Sequence, residues 1–202
     1  MAKPPLPPRE RLIETATRLF AAEGFHAVGV ARLVREAGVS RDAMYRHFRS
    51  KEELVLSVLR RRDEVSRALI AREIDRRAPD PRGKLLALFD FLEVWFRQKD
   101  FTGCIFVNAA AEFHDADDPI HRQAAEHKRL MLAHLRTLCT AAGARDPRAL
   151  AEQVYMMFDG AVVQAHMQGP SAARIEAARA AVALLIDSAT AETGPDLRAA
   201  AG

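Results

Sequence analysis

The sequence predicts an all-α protein of about nine helices, in which a small N-terminal head precedes a larger C-terminal helical bundle. Its 202 residues are rich in Ala, Leu, Arg and Glu and contain few β-branched runs, a composition that favours helices. Apolar residues recur at three- and four-residue spacing along most of the chain. Asp-Pro pairs and isolated glycines separate these periodic segments, as expected of helix starts and stops.

Residues 30–54 predict two short helices joined by a tight turn and followed by the start of a third. The first helix is apolar on one face and ends at Gly38, because glycine adopts the left-handed conformation at low cost. Ser40 caps the second helix, which buries Met44 and Phe48. Its outer side is predicted to present Arg41, Asp42, Ala43, Tyr45 and Arg46. This arrangement is typical of a DNA-binding helix-turn-helix.

Four short motifs of this region resemble the DNA-binding domain of TetR-type (TetR/AcrR-like) transcriptional regulators. They are Gly24-Phe25, Ala37-Gly38-Val39-Ser40, Tyr45-Arg46-His47-Phe48 and Ser50-Lys51-Glu52-Glu53-Leu54. The likeness covers about residues 9–60, and the remainder fits the family in length and layout. Gly29 and Ala43 depart from the family pattern, which usually has a hydroxyl residue at each position.

A recognition helix lies in the major groove, where arginine offers two donors to guanine and carboxylates accept from cytosine. The Ala43 methyl would meet a thymine methyl, and Asp42 would otherwise only favour the helix dipole. The resemblance implies that Tyr45, His47 and Lys51 contact phosphates. The predicted DNA-binding residues are Arg41, Asp42, Ala43, Tyr45, Arg46, His47, Lys51 and Gly29.

Charge is distributed unevenly along the chain. Residues 1–62 carry 13 Lys/Arg and 7 Asp/Glu, a net charge of +6, whereas the remaining residues carry 17 and 20, a net charge of −3. A basic head on a mildly acidic body suggests that the head alone contacts a polyanion. We interpret Arg32 and Arg35, on the outer face of the preceding helix, as solvated charges first and DNA contacts second.

The predicted organisation has four segments: a disordered arm at 1–8, a helix-turn-helix DNA-binding domain at 9–62, a ligand-binding and dimerisation domain at 63–193, and a disordered tail at 194–202. Two cysteines, Cys104 and Cys139, supply neither a disulfide framework nor a metal ligand set. No apolar run reaches the ~18 residues of a membrane span, and the start lacks a signal peptide. We therefore expect a cytoplasmic protein that makes no membrane contact.

The last two predicted helices have extended faces of small and apolar residues, which suit a four-helix interface with a second copy. The resemblance implies the same use of these helices, and ordinary packing against the chain's own core is the alternative. The predicted dimer interface comprises Val154, Phe158, Ala161, Val162, Ala165, Ala178, Val182, Leu185 and Ile186.

A regulatory body would hold a pocket for a small, largely apolar effector, although the same aromatic residues also suit plain core. The candidate ligand-binding residues are Phe89, Trp95, Phe96, Phe106, Asn108, Glu112, Phe113, His127, Met131, His134, Met157 and Phe158. His127 and His134 interrupt an apolar stripe and need partners. They bond to protein, line a pocket, or bind metal with Glu112, His114 or Asp117, the last being least favoured.

The sequence thus predicts a homodimeric repressor released from a pseudo-palindromic, double-stranded DNA operator by a small-molecule effector. A dimer is expected because one head reads too few bases to be selective in a genome. We predict no catalytic residue, no metal site and no cofactor. The alternatives are a helical enzyme or metal-binding protein that uses the C-terminal His/Glu cluster, and a DNA-binding regulator without an effector.

Overall fold

The computed structural model describes residues 6–191, and this range forms nine α-helices and no strand. The helices are α1 (Pro8–Glu23), α2 (Val30–Ala37), α3 (Arg41–His47), α4 (Lys51–Arg77), α5 (Pro81–Phe96), α6 (Ile105–Glu112), α7 (Pro119–Ala141), α8 (Pro147–Gln168) and α9 (Ala172–Thr190). The all-α prediction is confirmed. The predicted tail and the first five residues of the predicted arm lie outside the described residues, whereas Pro8 begins α1.

The local signals that delimit α2, α3 and α4 act nearly as predicted. Gly38 ends α2 with a φ of 62°. The Ser40 hydroxyl accepts the Ala43 N–H at 3.1 Å and so caps α3. At the start of α4 the Ser50 hydroxyl accepts the Glu53 N–H at 3.2 Å. The Glu53 carboxylate returns to the Arg49 N–H at 2.6 Å, one residue before the position that a capping box predicts.

One compact unit comprises residues 6–70 and 97–131 of the described range. Its core combines α1 to α3 and the start of α4 with apolar residues of α6 and α7, among them Phe106, Ala109 and Ile120. The unit therefore extends beyond the predicted boundary at residue 62, because α6 and the first half of α7 bury their apolar faces against the head. The functional division into domains at 9–62 and 63–193 remains a prediction.

The second compact unit comprises residues 71–96 and 132–191 of the described range. Helix α5 packs against α8 and α9, and the rings of Phe89 and Phe158 meet edge to face at 6.4 Å. Arg82 binds the Asp187 carboxylate at 2.9 and 3.1 Å, which ties the start of α5 to the end of α9. Helix α5 ends at Phe96. Among residues 6–191, no helix combines the length and apolarity needed to cross a membrane.

Candidate DNA-binding surface

Helix α2 is fixed on α1 by an exposed network of ion pairs. The Arg32 guanidinium binds Glu23 at 2.7 Å and Glu36 at 2.8 Å, and Arg18 reaches Glu36 at 2.6 Å. Exposed pairs contribute little singly, but a network of four groups restrains the angle between two helices better than one pair does. The Arg32 guanidinium is therefore engaged with protein carboxylates.

Helix α3 is held by its inner face. Met44 and Phe48 are fully buried in the core of the first unit, and the Arg9 guanidinium lies 5.5 Å from the centre of the Phe48 ring. The prediction that Ala43 lies on the outer face is wrong: its side chain is 8% exposed and joins the inner face. Position 43 lies one residue before Met44, and on a helix as short as α3 the buried sector includes both.

The outer face of α3 carries exposed polar groups, as predicted for Arg41, Asp42, Tyr45 and Arg46, and His47 is exposed as well. The Arg41 guanidinium lies 5.7 Å from the centre of the Tyr45 ring. Neither Arg41 nor Arg46 forms an ion pair with any residue in the described part of the chain. Both guanidinium groups are therefore available to acceptors outside the chain.

Two further predicted contacts flank α3. Gly29 is exposed and occupies the N-cap position of α2 with extended backbone. Lys51 begins α4 and is half-buried, with its ammonium 3.5 Å from the His26 carbonyl. Burial lowers the pKa of Lys51, and the nearby carboxylates of Glu52 and Glu112 oppose that shift. The assignment of these residues to DNA contact remains a prediction.

Behind this surface, Glu112 of α6 contacts the turn between α1 and α2. Its carboxylate accepts the N–H of Phe25 at 2.8 Å and that of His26 at 2.7 Å, and the His26 ring nitrogen lies 2.9 Å away. The His26 ring also stacks on Phe113 at 4.7 Å. Glu112 and Phe113, which we predicted to bind ligand, thus contact the turn between α1 and α2 of the head. The sequence analysis did not identify His26.

His127 takes the first of its three predicted alternatives, bonding to protein. It is buried, with Nδ1 2.8 Å from the Asp63 carboxylate, and its ring stacks on Phe106 at 3.7 Å. Arg67 binds both Asp63 oxygens, at 2.8 and 2.7 Å. Burial lowers the pKa of His127 despite the opposing effect of Asp63. Burial alone would raise the pKa of Asp63, but the bonds from Arg67 and His127 outweigh it and the net shift is downward.

The other candidate ligand-binding residues divide between the two units. In the first unit Met131 is buried and Asn108 half-buried. In the second unit three are buried and three half-buried, namely Phe89, Phe96 and Phe158, and Trp95, His134 and Met157. Phe96 also lines a cavity for about one water molecule, together with Ala161, Ala165, Ser171, Arg174 and Ile175. An effector pocket remains a prediction.

Both cysteines are free thiols. Burial raises the pKa of Cys139 to about 11, so its reactive thiolate form is strongly disfavoured at neutral pH. Across residues 6–191, no cluster of three or more His, Cys, Asp or Glu side chains is arranged to hold a metal ion.

The predicted dimer face of α8 and α9 points into the chain's own core. Seven of the nine predicted residues are buried and two are half-buried: Val154, Phe158, Val162, Ala165, Ala178, Val182 and Ile186, and Ala161 and Leu185. Their burial agrees with the alternative, ordinary core packing, because α8 and α9 pack against α5 and against each other. The seven buried residues leave little surface for a second copy to contact, whereas Ala161 and Leu185 keep part of theirs. Their assignment to a dimer interface remains a prediction.

A different face of the same two helices is exposed and apolar. On α8 the stripe comprises Met156, Gly160, Val163 and Met167, at i, i+4, i+7 and i+11, with Met156 65% and Met167 72% exposed. On α9 Leu184 is 71% exposed. We call these five residues the outer apolar face. Neighbouring exposed apolar side chains, such as Met156, Val163 and Met167 along α8, are typical of protein–protein contact surfaces.

Two family models match this chain, one over the head and one over the C-terminal helices. Residues 12–58 match the family model for bacterial regulatory proteins of the tetR family, and residues 81–182 match that for the tetracyclin repressor-like C-terminal domain. The crystal structure of SCO4454, a TetR-family transcriptional regulator from Streptomyces coelicolor, is 32% identical, covers 91% of this chain and 96% of its own, and superposes with a TM-score of 0.84.

The chain belongs to the TetR family. The transcriptional repressor NemR of Escherichia coli is 24% identical over 170 residues, which are 78% of this chain and 83% of NemR. The transcriptional activator FasR of Mycolicibacterium smegmatis is 38% identical over 90 residues, 42% of this chain and 40% of FasR. Three of the curated relatives that the chain matches are covered over only 17, 40 and 38% of their own length. This TetR-family chain is thus a helix-turn-helix transcriptional regulator, and its targets and effectors are matters for proposal.

Proposed function

We propose that this TetR-family chain is a homodimeric repressor, which leaves a pseudo-palindromic operator when a small, largely apolar effector binds its C-terminal region. The observation that carries the proposal is the outer face of α3. There Arg41 and Arg46 are exposed and free of ion pairs with described residues, on a helix whose opposite face is locked into the core. Such a face can enter a major groove, where arginine reads guanine O6 and N7.

The dimer is supported by the outer apolar face of α8 and α9. A monomer that left Met156, Met167 and Leu184 in water would expose an apolar row on its surface. A second copy would cover this row by isologous contact, in which the stripe of one α8 meets the stripe of the other. Gly160 within the stripe faces open space, because a Cβ at this position would meet nothing within 4 Å. Since glycine has no side chain, the backbone of a second copy could approach closely there.

Repression rather than activation is supported by how much of this chain aligns with a known repressor and with a known activator. NemR, a repressor, aligns over 78% of this chain, whereas FasR, an activator, aligns over 42%. The effector is supported by the match of residues 81–182 to a tetracyclin repressor-like C-terminal domain and by the aromatic residues of α5. A regulator that binds chromosomal DNA would act in the cytoplasm.

The test is selection of randomised duplex DNA by the purified full-length protein at two salt concentrations. We expect enrichment of a pseudo-palindrome whose half-sites lie about one or more helical turns apart, with binding that weakens steeply as salt rises. A reporter gene placed behind the enriched operator then separates repression from activation. Failure to enrich any sequence at either salt concentration would refute the proposal, and reporter expression that rises with the protein would refute repression.

A further inference from the structure

The turn between α1 and α2 is held by a residue far away in sequence. Glu112 is the last residue of α6 and stands 87 positions after Phe25, yet its two oxygens accept the N–H groups of Phe25 and His26. These residues form part of the turn that delivers the chain into α2, the first helix of the helix-turn-helix. Bonds between backbone N–H groups and a carboxylate are short and about twice as strong as neutral ones.

The shape of the turn fits this carboxylate. Gly24 has a φ of 88°, and a Cβ built on it would lie 2.8 Å from the nearer Glu112 oxygen. Real Cβ atoms do not approach so closely, so any other residue at 24 would displace the carboxylate or the turn. Glycine at this position thus serves both the backbone conformation and the approach of Glu112.

The carboxylate is charged as well as close. Burial alone would raise the pKa of Glu112, but the N–H groups of His26 and Phe25 and the His26 ring outweigh it, and the net shift is downward. The ionised form therefore persists at neutral pH. Loss of the charge would leave two N–H groups of the turn with a weaker acceptor.

Helix α6 is also anchored at its other end. Phe106, in its first turn, stacks on His127 of α7, and His127 bonds to Asp63 of α4. Residues 105–112 belong to the segment that matches the C-terminal family model, whereas Phe25 and His26 belong to the segment that matches the N-terminal model. Glu112 therefore links the segment that matches the C-terminal model directly to the segment that matches the N-terminal, DNA-binding model. Both ends of this polar contact lie inside one compact unit.

We propose that Glu112 is a positioning residue for DNA binding: through Phe25 and His26 it fixes the orientation in which α6 presents the α2–α3 pair to the operator. This inference rests on the proposed DNA-binding function. If the hydrogen bonds from Phe25 and His26 to Glu112 are absent, the head samples several orientations and only a fraction of the molecules is competent to bind the operator. The apparent dissociation constant then rises in inverse proportion to that fraction.

The test compares the full-length wild type with Glu112→Gln, using the operator that the wild type enriches and an unrelated duplex of equal length. Glutamine keeps the shape but replaces one acceptor oxygen with a donor. Glu126→Gln is the matched control, because it removes the same charge from an exposed pair with Arg129 on α7 of the same unit. Amide hydrogen exchange at Phe25 and His26 is measured on all three proteins, with thermal melts to verify folding.

We expect Glu112→Gln to exchange both amides about tenfold faster and to bind the operator about tenfold more weakly, with its affinity for unrelated DNA little changed. The control should match the wild type in every measurement. The inference is overturned if exchange rises while operator affinity stays the same, or if binding to both duplexes changes equally, because the residue would then act through fold stability or bulk charge. A wild type without any preferred operator would instead overturn the DNA-binding proposal itself, together with this one.

Discussion

The α2–α3 pair and the α8–α9 pair are built alike around their turns and differently on their surfaces. Each turn contains a glycine with positive φ, Gly38 at 62° and Gly169 at 81°. Each following helix is capped by a serine, Ser40 or Ser171, whose hydroxyl accepts a backbone N–H. Each pair buries an apolar inner face in the core of its unit.

The outer faces separate the two pairs. The outer face of α3 carries two guanidinium groups, a carboxylate, a phenol and an imidazole, whereas that of α8 carries two methionines, a valine and a glycine. Turn chemistry and burial therefore set the fold of a helix pair. In the function we propose, the outer face sets its partner, which is a polyanion for α3 and an apolar surface for α8.

The double variant Met156→Asp/Leu184→Asp should separate the proposed dimer. Buried carboxylates in an apolar interface lack partners, so the dimer dissociation constant should rise by more than about 100-fold, with operator binding lost in parallel. Analytical ultracentrifugation measures the first effect and a mobility-shift assay the second. Thr137→Asp/Thr140→Asp adds the same charge at exposed positions of α7 and should leave the dimer intact. A double variant that remains dimeric would place the interface elsewhere.

Within the head, Arg46→Ala and Lys51→Ala should behave differently. Loss of a guanidinium that reads a base should weaken operator binding by roughly 1–3 kcal/mol and relax the preference at one position. Loss of a phosphate contact should weaken all sequences alike and reduce the slope of log affinity against log salt by about one. Competition binding to operator variants at several salt concentrations distinguishes the two outcomes, and the reverse pattern would exchange the two roles.

The extent to which the sequence predicted these features depended on how local each signal is. Caps and stops such as Ser40 and Gly38 act within four residues, and the helices they delimit were predicted within a few residues. The sequence did not predict which face of α8 points inward. The face with Val154 and Phe158 and the face with Met156 and Val163 are equally apolar. Which stripe turns inward is decided by packing against α5 and α9, which the periodicity of one helix does not contain.

The buried contacts were hidden for a related reason. His127 is 64 residues from Asp63, and Glu112 is 87 residues from Phe25. A histidine within an apolar stripe predicts that a hydrogen-bond partner exists, but the sequence does not indicate which residue it is. Asp63 did carry a local signal, since Arg67 follows at i+4, but this spacing is common on exposed helix surfaces and does not reveal burial.

Changes in this buried contact should alter stability rather than base preference. Because the pKa of His127 is lowered in the fold, the unfolded chain takes up its proton first, near the ordinary value of about 6.5. The free energy of unfolding should therefore fall as pH drops below about 6.5, by at most ~1.4 kcal/mol per pH unit from this residue. Below about pH 4, protonation of Asp63, whose pKa is also lowered, should remove further stability.

Urea unfolding at fixed protein concentration between pH 7 and 5 measures this dependence. His127→Asn should be less stable at pH 7, since its ring no longer stacks on Phe106, but its stability should vary less with pH. His114→Asn, which removes an exposed histidine of the same unit, should keep the wild-type slope. An unchanged slope in His127→Asn would assign the pH dependence to other groups.

The smallest expected effect is a gain at the edge of the DNA-binding surface. A Cβ at Gly29 would meet nothing within 4 Å, and the backbone there is extended, so Gly29→Ser fits without strain. The hydroxyl would cap α2, which adds a few tenths of a kcal/mol, and would offer a phosphate one more hydrogen bond. Gly29→Ala is the matched control, because alanine is a poorer N-cap than glycine and brings no hydroxyl. Unfolding and operator titrations should rank serine above glycine above alanine; if alanine improves operator affinity as much as serine does, the gain comes from a stiffer turn and position 29 makes no polar contact with DNA.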